Sequence, residues 1–493
     1  MPKSKSTPIR TKLKEVGSHS IIYGLGSIAQ SAAGLLLIPI LTGALTKEDF
    51  GAYSLILMGS VFASGVFYLG MTSALPRFYF DYESSEDRKA VFTTAFVILL
   101  LGAILQSLLG CVFSDQISIM LVGNTKYHYA VCYAMMGGGV SFINSYFFCF
   151  LRLQKKSIAS VLLGIISLVV VIMLTLFFLS TNISDVSAAF RAVFYSQILV
   201  SLIFLLLYAK SAFTWKLNFI EFPNLIKYGI YVVIGNMGSL MLFETVDRIM
   251  IRQYLGLATV GVYSASIRLS LLINVVFVVP FLQIWSPMMM ELRNKENIKE
   301  LFSTVFSVFM IFGGLIILMS ALLAVEILSF GIRSNIETDA VFVFIIYMLG
   351  FLIFSASNFL SAGLLYEKKV HVLALVYYLA VPAKLVISAV AINMFGLEGA
   401  AISAFLTFCT LTFSIYYFSK KYFDFRIDWR RLLLLSCIIS PAFIYAILST
   451  NEKVASLPIR LIWLTASIGL IYRVCLSVDE RQSIRMSIFR IIK

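Results

Sequence analysis

Leu45-Thr46-Lys47-Glu48-Asp49-Phe50-Gly51-Ala52-Tyr53-Ser54 and Leu255-Gly256-Leu257-Ala258-Thr259-Val260-Gly261-Val262-Tyr263-Ser264 carry one pattern, L-x5-G-x-Y-S, at an offset of 210 residues. Two further matches keep nearly the same spacing. Pro76 corresponds to Pro287 at an offset of 211, and Lys155-Lys156 to Lys368-Lys369 at 213. Each of these stretches joins or ends long apolar runs. Three matches in the same order indicate a duplicated unit of six apolar helices. Six is even, so both copies enter a membrane from the same side, as parallel repeats about an axis along the membrane normal.

Composition points the same way. Of 493 residues, 60% are hydrophobic and 13% charged, against about 25% charged in soluble domains. A span needs about 20 apolar residues, and the lipid interior admits only helices or closed barrels. Runs this long and non-alternating exclude a barrel. Charged breaks delimit about fourteen helices, at 17–44, 52–75, 90–113, 127–150, 157–180, 188–209, 229–254, 261–287, 301–325, 340–365, 372–395, 398–418, 432–449 and 459–476. The expected fold is an all-α integral membrane protein with two parallel six-helix lobes and two C-terminal helices. In sequence order this gives a basic tail (1–16), an N-terminal lobe (17–209), a linker (210–228), a C-terminal lobe (229–418), the region of helices thirteen and fourteen (419–476) and a second basic tail (477–493).

Lys and Arg set the orientation. With the N-terminus in the cytoplasm, 29 of the 39 fall in the tails and the loops on its side, seven in the opposite loops and three within helices. Both termini are therefore expected in the cytoplasm of a cell whose inner membrane holds the chain. This asymmetry, with anionic lipid headgroups as partners, accounts for the net charge of +14. Nucleic-acid binding would need a contiguous basic face, which the pattern lacks. No short apolar stretch with a small-residue cleavage site follows the basic start, so the first helix is expected to be retained. Cys111, Cys132, Cys149, Cys409, Cys437 and Cys475 lie in or at the ends of apolar runs without metal-ligand spacing, and are expected to be packing residues. The three histidines are dispersed.

The chain resembles the Wzx-type polysaccharide and O-antigen flippases, of the superfamily that also holds multidrug exporters and peptidoglycan lipid flippases. The resemblance covers about residues 15–420. It rests on Gly24-x-Gly26 to Pro39, on Phe50-Gly51-x-Tyr53, on Asp247-Arg248 followed by Leu255, Gly261 and Tyr263-Ser264, and on Gly396-Leu397-Glu398-Gly399-Ala400-Ala401. It implies a V-shaped pair of six-helix bundles that alternate access. The implied substrate is an isoprenoid diphosphate-linked oligosaccharide, a repeat unit of O-antigen, capsule or exopolysaccharide. A glycan polymerase or other assembly machinery is the further partner it implies.

Catalytic motifs are absent: no phosphate-binding Walker loop, G-x-S-x-G or H-E-x-x-H occurs. The chain is read as a transporter rather than an enzyme, with no cofactor beyond an optional H+ or Na+ coupling ion. Charges inside helices are the informative residues. Lys384 sits near the centre of the apolar run Val372 to Phe395. A lysine at bilayer depth costs about 3 kcal/mol on insertion scales, and no acid lies within four residues. Its partner must come from another helix or from an anionic substrate, and it is expected to face a hydrated cavity. Helix seven carries Glu244, Asp247 and Arg248 within one arc of about 100°. Glu244 and Arg248, four apart, either neutralise each other, or Arg248 faces the cavity and binds diphosphate, or a carboxylate takes up the coupling cation. Arg268, in helix eight, reaches either those acids or the cavity. Arg77 and Arg152, at the cytoplasmic ends of helices two and four, suit a first phosphate contact, or serve orientation alone. Gln30 and Ser27, with Asn236 and Ser239, occupy matching early positions of the two lobes, and either hydrogen-bond sugar hydroxyls or tie helices together.

Two alternatives share the superfamily. A drug exporter carries cations and favours acids in its cavity, whereas here cations within helices match or exceed acids. A peptidoglycan lipid flippase has the same charge chemistry. A membrane glycan polymerase or ligase needs a sizeable outer loop, and the outer loops here are short.

Overall fold

The computed structural model describes residues 36–181, 185–293, 297–332, 338–367, 369–448 and 457–474. Gln30, Ser27 and Cys475 lie outside them. The described chain is helical, and two compact units divide it, Met1–Ser264 and Ala265–Lys493.

The first unit contains α1 (36–44), α2 (Lys47–Phe67), α3 (Met71–Tyr79), α4 (Ser85–Val112), α5 (Ser114–Val122), α6 (His128–Leu153), α7 (Ser157–Thr181), α8 (Val186–Ala212), α9 (Phe222–Leu240) and α10 (Val246–Leu255). A π-helical turn, Met241–Thr245, joins α9 to α10. Helix α11 (Leu257–Ser270) runs into the second unit. There follow a second π-turn, Asn274–Val278, then α12 (Val279–Glu291), α13 (Ile298–Leu322), α14 (Ala324–Gly331), α15 (Thr338–Leu360), α16 (Ala362–Tyr366), α17 (Val370–Ser419), α18 (Trp429–Leu448) and α19 (Leu457–Val474).

Eleven stretches of described helix are long and apolar enough to span a membrane. Counting α17 as two helices, divided at Gly396, gives twelve; α19 adds a shorter apolar helix, and the first expected helix, 17–44, lies mostly outside the described residues. Gly396 has φ 58° and ψ −133°, a region closed to residues with a Cβ, and the chain reverses there. Ser388 and Ser403 hydrogen-bond at 2.6 Å across the resulting hairpin. The duplication shows in the helix order. The short α5 follows α4 as the short α14 follows α13, and they begin 210 residues apart.

Helix two departs from the expected single rod. It breaks at Leu69 and Gly70, both with positive φ, before α3. The linker departs less: α8 runs to Ala212 and α9 starts at Phe222. The irregular stretch between them docks on the start of α4, where Thr93 and Thr94 accept hydrogen bonds from the Thr214 and Asn218 amides at 3.1 and 2.8 Å.

Aromatic stacking fills the first unit's core, with Phe92 on Tyr146 at 4.8 Å and Phe147 on Phe204 at 3.9 Å. In the second unit Trp285 stacks on Phe359 at 5.3 Å. Helices α13, α15, α17 and α18 there line a half-open, almost wholly apolar cavity of about 570 Å³, bounded by residues such as Met310, Leu352, Phe413 and Ile439.

The cysteines require a correction. Cys111 and Cys132 form a disulfide with Cα atoms 4.4 Å apart, so these two are not merely packing residues. The end of α4 and the first turns of α6 run antiparallel and lie side by side, which brings together residues 21 apart in sequence. Cys149, Cys409 and Cys437 are free thiols.

Candidate functional site

The repeated motif builds the site. A Cβ on Gly51 would stand 2.0 Å from the Leu257 carbonyl oxygen and 3.2 Å from the Gly261 amide, and one on Gly261 2.3 Å from the Lys47 carbonyl oxygen. The equivalent glycines of the two copies thus face each other where α2 crosses α11. Two backbones this close leave room for no side chain. The crossing places Tyr263 and Ser264, one turn further on, against α10.

There they hold the charges of helix seven. Arg248, 5% exposed, donates through Nη1 to Glu244 Oε2 at 2.5 Å and to the Glu244 carbonyl at 2.5 Å, and through Nε to Ser264 Oγ at 3.2 Å. Tyr263 Oη donates to Asp247 Oδ2 at 2.9 Å, and Asp247 is equally buried. The expected Glu244–Arg248 ion pair is present. The Glu244 side chain is 43% exposed, so the pair has a buried cation and an open anion. Glu244 lies within the π-turn. A π-turn inserts a residue into the helical register and recurs at functional sites.

Lys384 is 2% exposed, so its surroundings are protein, not the open water expected of a cavity wall. It shares the buried side of its helix with Val376, Ser388, Ala391 and Ile392, while Leu379, Val386, Val390 and Met394 are exposed. The roughly four-residue spacing of the buried set defines one helix face. Arg268, in α11, is half-buried.

The remaining candidates are more exposed. Arg77 is paired with Asp81 at 2.9 Å. Arg152 is exposed at the end of α6. Asn236, also exposed, donates to Tyr68 Oη at 3.4 Å, joining α9 to α2. Arg252 is half-buried and donates to the Met120 carbonyl at 2.5 Å.

Sequence reasoning missed a second polar group. Asp49, in the first copy of the motif, is buried and accepts from Lys126 Nζ at 2.9 Å and Tyr127 Oη at 2.8 Å. The hydrogen bond to Asp49 holds the Lys126 ammonium pKa above its usual value. Thr46, capping α2, was its only local signal: it accepts from the Asp49 amide at 3.1 Å and donates to the carboxylate at 2.8 Å.

Against known proteins, residues 16–293 match a family described as polysaccharide biosynthesis protein. No curated protein matches the sequence. Among solved structures, the lipid II flippase MurJ in an inward closed conformation is similar with a TM-score of 0.73 at 14% identity, over 92% of this chain and 99% of that one. An inward-facing multidrug resistance MATE family transporter of the MOP superfamily is similar at 0.64 and 13% identity, over 80% and 94%. A MATE protein in complex with MaL6 gives 0.60 at 15%, over 83% and 95%. At these identities the likeness is one of fold.

Proposed function

The chain belongs to the polysaccharide biosynthesis protein family, and we propose that it is a flippase that carries an isoprenoid diphosphate-linked oligosaccharide from the inner to the outer leaflet by alternating access. The cargo is a repeat unit of O-antigen, capsule or exopolysaccharide, and the chain performs no covalent chemistry. The observation that carries this reading is the burial of Lys384 and Arg248 within membrane-spanning helices. Cations at that depth are costly and mark ion or substrate pathways. An anionic diphosphate is the cargo that makes use of them. The apolar cavity of the second unit has the chemistry for the isoprenoid chain. Arg77 and Arg152 would offer the first contacts to the diphosphate at the membrane surface.

The orientation proposed is an inner membrane with both termini in the cytoplasm. Two independent signals support it. Arg88 and Lys89 start α4 and Arg152 ends α6, while Cys111 and Cys132 join the opposite ends of the same helices. Lys and Arg favour the cytoplasmic side, and disulfides persist in oxidising compartments outside it.

A diphosphate carries about −2 charge, and each charge crossing 100 mV gains roughly 2.3 kcal/mol. An inside-negative membrane therefore favours export by about 4–5 kcal/mol per 100 mV, and H+ or Na+ antiport through Glu244 or Asp247 would add to this drive. The test is flipping of an isoprenoid diphosphate-linked glycan in proteoliposomes. Wild type should flip, faster with a potential that drives anions out. Lys384→Ala should insert at least as well as wild type yet flip poorly, and Lys384→Arg should keep part of the rate. Full-rate flipping at zero potential would remove the role of the potential. A wild-type rate from Lys384→Ala would remove Lys384 from the path.

A further inference from the structure

We propose that a polar pocket of about 360 Å³ in the first unit, between the start of α6 and the start of α8, binds a neutral sugar ring. Six residues argue for it: Lys126, Tyr127, Tyr129, Tyr133, Asp185 and Arg191. The pocket lies at the disulfide end of the unit, away from Arg152. Its volume is at the small end of ligand sites, suited to one or two pyranose rings.

The charges come in compensated pairs. Lys126 pairs with Asp49, and Arg191 with Asp185. Such a wall offers donors and acceptors side by side with no excess of either sign. A free phosphate would need uncompensated cations, and a cationic drug uncompensated acids. A sugar hydroxyl both donates and accepts, so it suits a wall of paired groups. One donor is open: Arg191 Nε is buried with no hydrogen-bond partner among the described residues. Buried polar groups left unsatisfied call for an explanation, and a ligand oxygen would supply the acceptor.

The aromatic side chains provide the complementary surface. Tyr129 is 65% exposed and its ring lies against His128 at 3.9 Å, which holds it in place at the mouth. Arg191 sits over the Tyr133 ring at 5.8 Å, and Lys126 over Tyr127 at 4.9 Å. The exposed Tyr129 ring is the one open to the apolar C–H face of a pyranose, while Tyr127 Oη is already held by Asp49. The Cys111–Cys132 bridge fixes the turn of α6 that carries Tyr129 and Tyr133. A rigid platform loses little entropy when a ligand binds. The source of the sugar, a translocated glycan arriving at the outer face, rests on the flippase reading; the pocket and its ligand class do not.

The experiment is saturation-transfer NMR on the intact protein in lipid nanodiscs. The probes are methyl glycosides of glucose, galactose and N-acetylglucosamine, with galacturonate as the anionic comparison. At least one neutral glycoside should receive saturation. Tyr129→Ala should reduce the signal about fivefold, the scale of a lost aromatic contact, and Tyr129→Phe should keep it. Tyr129 is exposed, so its replacement leaves the fold intact. Saturation of no neutral glycoside, of galacturonate alone, or equally in Tyr129→Ala overturns the proposal. Flipping of lipid-linked glycan measured on the same preparations separates the two readings. Flipping without sugar binding defeats the pocket alone, and sugar binding without flipping defeats the transport reading alone.

Discussion

The two copies of L-x5-G-x-Y-S use the same backbone device for different ends. Gly51 and Gly261 are equivalent and face each other. The Tyr-Ser pairs that follow them are not equivalent. Tyr53 stacks on Phe190 at 4.9 Å, and Ser54 Oγ is buried with no hydrogen-bond partner among the described residues. Tyr263 and Ser264 instead hold Asp247 and Arg248. The charge of the first copy sits earlier, at Asp49, and serves Lys126 and Tyr127. Both copies share the close helix crossing, and among the described residues a buried cation, Arg248, stands beside the Tyr-Ser pair of the second copy but not of the first. The shared glycines serve architecture; on the flippase reading proposed above, the asymmetry serves function.

The largest expected effect breaks the shared part. Gly51→Ala and Gly261→Ala each drive a methyl into a backbone carbonyl, which cannot swing aside as a flexible side chain would. Each should cost about 3 kcal/mol, the upper part of the overpacking range, in unfolding from mixed micelles. The two costs should be similar, because the contact is mutual. A neutral result at either glycine would mean that the crossing is loose. The next effect sharpens the difference. Tyr263→Phe removes a hydrogen bond to the buried Asp247 carboxylate and should cost about 1.5–2 kcal/mol. Destabilisation well below that would show that Asp247 does not rely on this hydroxyl. The smallest effect compares the serines. Ser264→Ala should cost about 1 kcal/mol through the lost contact to Arg248, whereas Ser54→Ala should be neutral or slightly stabilising, since it removes an unsatisfied hydroxyl. Equal costs at the two serines would erase the distinction between the copies.

Much of this was legible because it is local or periodic. Spans of apolar residues give the helices, and the motif gives the repeat. A spacing of four, one turn of helix, offers Glu244 and Arg248 as partners. The π-turn at Met241–Thr245 was not legible, because no residue pattern at period 3.6 announces an inserted residue. Nor was the break at Leu69 and Gly70, where the hydrophobic run continues through a change of direction. The Cys111–Cys132 bridge joins neighbouring helices, and its two cysteines read as ordinary apolar positions. Asp49, Lys126 and Tyr127 meet only after α2 and α6 pack, so Lys126 counted in the sequence as one loop charge among many. Lys384 was found from its depth, but its burial depends on tertiary packing that spacing along one helix cannot supply.

On the flippase reading, the second copy holds a cation, Arg248, for an anionic cargo. The most direct measurement is the initial flipping rate of an isoprenoid diphosphate-linked glycan by the Glu244→Ala/Arg248→Ala double variant in proteoliposomes, at protein levels matched to wild type. Removing both partners leaves no buried charge unpaired between them, so the variant should fold. A folded protein that flips at least about tenfold more slowly is expected, because an interaction worth about 1.4 kcal/mol or more is lost. A folded double variant that flips at the wild-type rate would contradict it, leaving the pair a lock within helix seven and no part of the transport path.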